Sequence, residues 1–130
     1  MSDIRAIVAG HGTFAEGMLS AIEQITGRSD LFLGLTNRDL SARDMEQLMR
    51  DRIEASNVRV VFTDLPAGSC TMAARRIQRE QPGLSLVTGV NLATLLDFVF
   101  SDDAEADEAV RHAAEKGREA LVVTGAPRGP

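Results

Sequence analysis

The 130 residues carry 14 Lys and Arg against 19 Asp and Glu, a formal net charge of −5, with one cysteine, two histidines and neither Trp nor Tyr. The length suits a single domain with a true core. The scattered basic residues and scarce aromatics argue against a nucleic-acid surface or a stacking platform for sugars, and the lone cysteine and two distant histidines leave no internal disulfide and too few ligands for a dedicated metal site. No apolar stretch approaches the roughly 20 residues of a membrane helix and "MSDIR" lacks a signal-peptide layout, so a cytoplasmic protein without direct membrane insertion is expected.

Residues 4–9, "IRAIVA", form a short apolar run closed by Gly10 and read as a buried strand. Phe14, Met18, Ala21, Ile22 and Ile25 then recur at helical spacing up to Gly27, a natural helix stop. "LFLGL" at 31–35 is a second strand, and Ser41 followed by Asp44 resembles a capping box opening a helix with Met45, Leu48, Met49 and Ile53 inward. "VRVVFT" at 58–63 is the third strand; "DLPAGS" at 64–69 is a loop leading to a helix from about Thr71 to Gln81, ended by Pro82 and Gly83. "LSLVTG" at 84–89 is the fourth strand, and Asn91 caps a helix through Phe100. A last helix runs from about Asp103 to Ala120, "LVVT" at 121–124 is a candidate fifth strand, and 125–130 form a flexible tail on a domain spanning 1–124.

Strands alternating with helices at this pace imply parallel pairing through right-handed crossovers. The expected fold is a small doubly wound α/β domain, mainly parallel in order 2-1-3-4 with a short edge strand, helices on both faces. In that order strands 1 and 3 are neighbours whose following loops part in opposite directions and open a crevice. His11 follows strand 1 and Asp64 follows strand 3, so the topology brings the two together.

At that place His11 precedes a helix N-terminus, where unpaired N–H groups favour an anion. Gly10 and Gly12 permit close backbone approach. Asp64 can fix the imidazole tautomer and leave the other ring nitrogen free as a nucleophile. Gly68 and Ser69, opening the third helix, add N–H donors and a hydroxyl. These parts suit a histidine that carries a phosphoryl group. Each also has a plainer role: a lone loop histidine is ordinarily solvated, Asp64 can cap its own turn, and Ser69 can cap the helix. Cys70 reads as a small buried cysteine, His112 as a surface residue among Glu108, Glu115 and Lys116, Phe14 as a core residue or partner contact, and the methionines as packing.

Four blocks, "AIVAGHGTFAEGMLSAIEQITG" (6–27), "VVFTDLPAGS" (60–69), "VTGVNLATLL" (87–96) and "KGREAL" (116–121), resemble in order and spacing the mannose-type enzyme IIA proteins of the bacterial sugar phosphotransferase system (PTS). The resemblance covers nearly the whole chain. It implies a phosphocarrier without cofactor, in which His11 takes a phosphoryl group from phospho-HPr and passes it to a IIB component, with Asp64 beside it. Ala67, Cys70 and Ala93 depart from the family pattern and touch loop shape and partner contacts rather than the His–Asp pair. Sugar class and partner identity stay open.

Two other readings stand beside this one. The same phosphorylation of His11 could serve regulation without sugar transport, or His11 could act as general base for Ser69 or Cys70 in a small hydrolase, although the chain lacks the G-x-S-x-G elbow. A homodimer is also expected. "LATLLDFVF" is apolar nearly all round, the short 121–124 strand needs a sheet edge, and mannose-type IIA proteins form dimers in which the last strand can cross to the partner.

Overall fold

The computed structural model describes residues 3–101 and 105–125. Its elements are β1 (Ala6–Gly10), α1 (Phe14–Thr26), a 3-10 turn at Ser29–Leu31, β2 (Phe32–Thr36), α2 (Ala42–Ser56), β3 (Val60–Thr63), α3 (Ser69–Glu80), β4 (Ser85–Val87), α4 (Leu92–Phe100) and α5 (Ala106–Ala120). All strand pairs are parallel, as the alternation of elements predicts, and the order is β2-β1-β3-β4, the one expected of a small doubly wound domain.

The central strands have no polar face because helices cover both sides, which is the usual reason for continuous apolar runs in parallel sheets. Ala6, Val8, Val60 and Phe62 point to one core, shared with Ile22, Leu95, Phe98 and Val110 from α1, α4 and α5. Ile7, Ala9 and Val61 point to the other, shared with Met45, Met49, Ile53, Ala73 and Ile77 from α2 and α3. The alternation follows from the two-residue period of a strand. Phe32, Phe62 and Phe98 cluster with ring centroids 5.2–6.5 Å apart, each full burial stabilising by about 1.5–3 kcal/mol.

Local signals set the helix ends. Gly27 closes α1 in the left-handed region, Ser41 Oγ accepts from Asp44 N–H at 3.0 Å, and Asn91 Oδ1 accepts from Thr94 N–H at 3.0 Å. Asn91 also donates to Gly117 O at 2.9 Å, and a Cβ on Gly117 would lie 1.9 Å from Thr94 Oγ1. Two of the sequence blocks, around Asn91 and Gly117, therefore meet as one close α4–α5 contact.

Several expectations are corrected. Residues 121–124 form no strand in this chain; Leu121, Val122 and Val123 stand exposed, because after α5 the described chain returns to no sheet edge. The two faces of α4 are both covered within the chain, by the sheet-side core and by α5, leaving Phe100 as its one exposed large residue. Ile25 faces water, since Ala15 and Ile22 define the buried stripe of α1. Helix α3 starts at Ser69 rather than Thr71, and α5 at Ala106; Asp103 and residues 126–130 of the expected tail lie outside the described residues.

Candidate functional site

Parallel pairing of β1 with β3 in the register Ala9↔Thr63 puts the residues that follow, Gly10–His11 and Asp64, side by side. Gly10 makes the approach possible: a Cβ there would lie 2.9 Å from Asp64 Cγ and 2.7 Å from Phe14 Cδ2. The Asp64 carboxylate oxygen Oδ2 accepts the His11 backbone N–H at 2.9 Å and lies 2.8 Å from His11 Nδ1. Burial opposes the charge on Asp64, but the backbone and side-chain hydrogen bonds from His11 and the attraction of its ring together outweigh it and hold the carboxyl below its ordinary range. An ionised carboxylate only accepts, so Nδ1 carries a proton, and in the neutral ring Nε2 is the nitrogen with the lone pair. The other carboxylate oxygen, Oδ1, is buried without a hydrogen-bond partner, a cost of about 1–3 kcal/mol that a simple turn cap avoids.

The His11 side chain is 51% exposed while that of Asp64 is 10% exposed, so a ring fixed from below presents its free nitrogen to solvent. Gly68 lines the approach: a Cβ on it would lie 3.0 Å from His11 Cε1 and 3.5 Å from Nε2. Its φ of +112° belongs to glycine on backbone grounds as well. Gly68 is the N-cap of α3 and supplies no side chain to satisfy the first N–H groups of the helix. Those donors, and the positive end of a twelve-residue helix, therefore open beside Nε2. Gly12, at φ +52°, makes the turn between His11 and α1 and keeps that side of the ring open.

Ser69 is the first residue of α3 rather than its cap, and its Oγ accepts from Asn37 Nδ2 at 2.8 Å. Thr71 Oγ1 lies 2.6 Å from Leu65 O and 2.7 Å from Thr63 Oγ1, bracing the 64–69 loop from inside. Cys70 is buried in the α2–α3 core, and burial followed by the nearby Asp64 charge pushes its thiol up to about 11. Among the described residues His11 is hydrogen-bonded to Asp64 and to neither Ser69 nor Cys70, so the nucleophile–base pair that the hydrolase reading requires is not formed. His112 is on the surface, but its Nδ1 meets Asp97 of α4 at 2.7 Å rather than the acidic neighbours on its own helix. Phe14 is half-buried against the core. Among the described residues no three His, Cys, Asp or Glu side chains converge as metal ligands, and no helix is long and apolar enough to cross a membrane.

Sequence reasoning missed Asn37 and Arg38. They follow β2, which pairs with β1 on the side away from β3, and no local pattern marks them. Their signal is positional: Gly10 pairs with Thr36, so the residues after β2 emerge at the same carboxyl end of the sheet as His11. A groove of about 1220 Å³ lies elsewhere, along the open edge of β4 and against α5. His11, Asp64 and Ser69 do not line it.

Residues 5–115 match the sequence family described as PTS system fructose IIA component. Among solved structures the chain is similar to the mannose/sorbose specific IIA subunit of the phosphotransferase system from Enterococcus faecalis, at 24% identity and a TM-score of 0.80 over 98% of both chains. It is similar to phosphotransferase system component EIIA from Streptococcus agalactiae at 24% identity and a TM-score of 0.81, covering 92% of this chain and 96% of that one. The PTS IIA protein associated with the fucose utilization operon of Streptococcus pneumoniae is 22% identical, with a TM-score of 0.80 over 95% of this chain and 96% of that one. No curated protein sequence matches.

Proposed function

The chain belongs to the family of PTS fructose IIA components, with a phosphocarrier role in the sugar phosphotransferase system, and we propose that His11 is the residue that carries the phosphoryl group. The observation that carries this reading is the 2.8 Å contact of Nδ1 with Asp64 Oδ2, which leaves Nε2 as the nucleophile. Phospho-HPr docks over the exposed ring in the cytoplasm. The Nε2 lone pair forms a bond to phosphorus as the donor's N–P bond breaks, and that electron pair returns to the donor imidazole.

No proton has to leave the site. His11 enters the step with its proton on Nδ1 and becomes a phosphorylated ring whose positive charge the Asp64 carboxylate stabilises. Transfer to a IIB component reverses the bond changes. The N–H groups at the start of α3, the Ser69 hydroxyl and the backbone at Gly12 and Gly68 hold the phosphoryl oxygens, the electrostatic contribution such a transfer most needs. Among the described residues Asp64 is the carboxylate bonded to the ring, and its engagement there suits a group that is kept for transfer rather than hydrolysed. The test is incubation with phosphoenolpyruvate, enzyme I and HPr followed by intact-mass measurement. One acid-labile phosphoryl group per chain is expected on the wild type and on His112→Ala, and none on His11→Ala; equal labelling of the wild type and His11→Ala overturns the assignment.

The working unit in this reading is a homodimer. Two features support it: among the described residues β4 is a sheet edge that lines a groove reaching Leu121, and Leu121, Val122 and Val123 stand exposed as an apolar segment. A second copy can supply each with the other.

A further inference from the structure

Transfer to Nε2 brings a phosphoryl group of about two negative charges beside the ionised Asp64. N–H dipoles oppose only part of that charge, and the chain as a whole carries −5. A full positive charge at the site would change the balance. Arg38 is the cation the fold brings there. A Cβ on Gly12 would lie 3.9 Å from Arg38 Nη2, so the guanidinium stands against the turn that carries His11, with no Gly12 side chain between.

Its backbone is anchored to the same site. Asn37 N–H donates to Gly10 O at 3.4 Å, Asn37 Nδ2 donates to Ser69 Oγ at 2.8 Å, and Arg38 N–H donates to Thr36 Oγ1 at 3.1 Å. The loop from β2 is thus tied both to the strand end before His11 and to the first residue of α3. Arg50 of α2 is engaged with Glu46 and Glu80, but no ion pair among the described residues holds Arg38. An exposed guanidinium, kept near a histidine and left without a carboxylate, is available to an anion that arrives there.

We propose that Arg38 is a catalytic residue of the transfer: its guanidinium donates to the phosphoryl oxygens on His11 Nε2 and neutralises part of their charge, both in the transition state and in the phosphorylated protein. This rests on His11 being the phosphoryl acceptor. The planar fork of arginine matches a pair of phosphoryl oxygens, which a lysine ammonium at the same place does not. Because the contact is made only when phosphorus is present, it favours the transferring group over the bare site.

The experiment compares wild type, Arg38→Ala and Arg38→Lys in phosphoryl uptake from two donors, phospho-HPr and the small molecule phosphoramidate, and in the equilibrium share of label between HPr and this protein. Arg38→Ala is expected to slow uptake from both donors roughly tenfold and to shift the equilibrium toward phospho-HPr roughly fivefold, with Arg38→Lys in between. Arg38 is exposed, and unchanged thermal unfolding of the variants verifies the fold. Slowing with phospho-HPr alone, the phosphoramidate rate and the equilibrium unchanged, would mean that Arg38 docks the donor and overturns the proposal. Wild-type rates for Arg38→Ala with both donors also overturn it while leaving His11 as carrier. An unlabelled wild type overturns both readings together.

Discussion

Oδ2 of Asp64 accepts twice from His11, at 2.9 Å from its backbone N–H and 2.8 Å from Nδ1, although the two residues are 53 positions apart. The double contact fixes both the place of the ring and its tautomer. Asp64→Asn keeps an oxygen in position for the hydrogen bonds but loses the charge, so phosphoryl transfer is expected to slow by roughly 10- to 100-fold in both directions with the fold retained. Unchanged single-turnover rates would reduce Asp64 to a turn residue.

The same pair gives a pH signature. The carboxyl of Asp64 lies below its ordinary 3.8 in the folded protein, so its stabilising contribution is complete above the unfolded value and is lost as pH falls through the folded one. Urea unfolding of wild type and Asp64→Asn across the acid limb should therefore show the wild type losing stability more steeply below about pH 4. Parallel curves down to pH 2 would contradict the assigned direction.

Asn37 acts through Ser69. With the amide donating to Oγ, the hydroxyl is held in place at the start of α3; Asn37→Ala removes that constraint. We expect transfer to slow roughly threefold to tenfold, with stability changed by about 1 kcal/mol or less because the bond is only partly buried. In a Ser69→Ala background the Asn37→Ala change should have no further effect on rate, and additive losses would show that Asn37 acts by another route.

Gly117 tests the α4–α5 contact. Gly→Ala inside a helix ordinarily stabilises by about 1 kcal/mol, but here the added methyl would sit 1.9 Å from Thr94 Oγ1 and 2.9 Å from Asn91 Oδ1. Neither short side chain can swing clear, so overpacking wins and Gly117→Ala should lower stability by about 1–3 kcal/mol, roughly 3–10 °C in Tm. A raised Tm would mean that the helices separate at no cost.

Light scattering at micromolar concentration should give twice the 14.0 kDa of one chain. Ending the chain after Ala120 removes the exposed Leu121–Val123 segment and should shift the mass toward one chain. A wild-type mass near one chain, unchanged by dilution, would rule the dimer out.

Local chemistry determined much of this protein from its sequence alone. Gly27, Ser41 and Asn91 end or open helices as their short-range geometry requires, and the apolar runs become strands because helices bury both their faces. Alternating elements and crossover handedness then imply a parallel, doubly wound sheet, and its common small order, 2-1-3-4, is the one that makes His11 and Asp64 meet. Spacing was a poorer guide where an apolar residue had two possible fates: Ile25 continues a helical stripe yet faces water, and "LVVT" has strand chemistry but pairs with no edge of its own sheet. An edge is supplied by other elements, so no local pattern can reveal it. The rest of the site was decided by tertiary structure. Asn37 and Arg38 carry no motif and reach His11 only because parallel pairing of β2 with β1 brings their loop to the same end of the sheet. Ser69 changes from helix cap to oriented hydroxyl because Asn37 occupies it, and Cys70 is raised to about 11 because packing of α3 removes it from water. Hydrogen-bond partners and desolvation are properties of what surrounds a residue, and the chain acquires those surroundings only by folding.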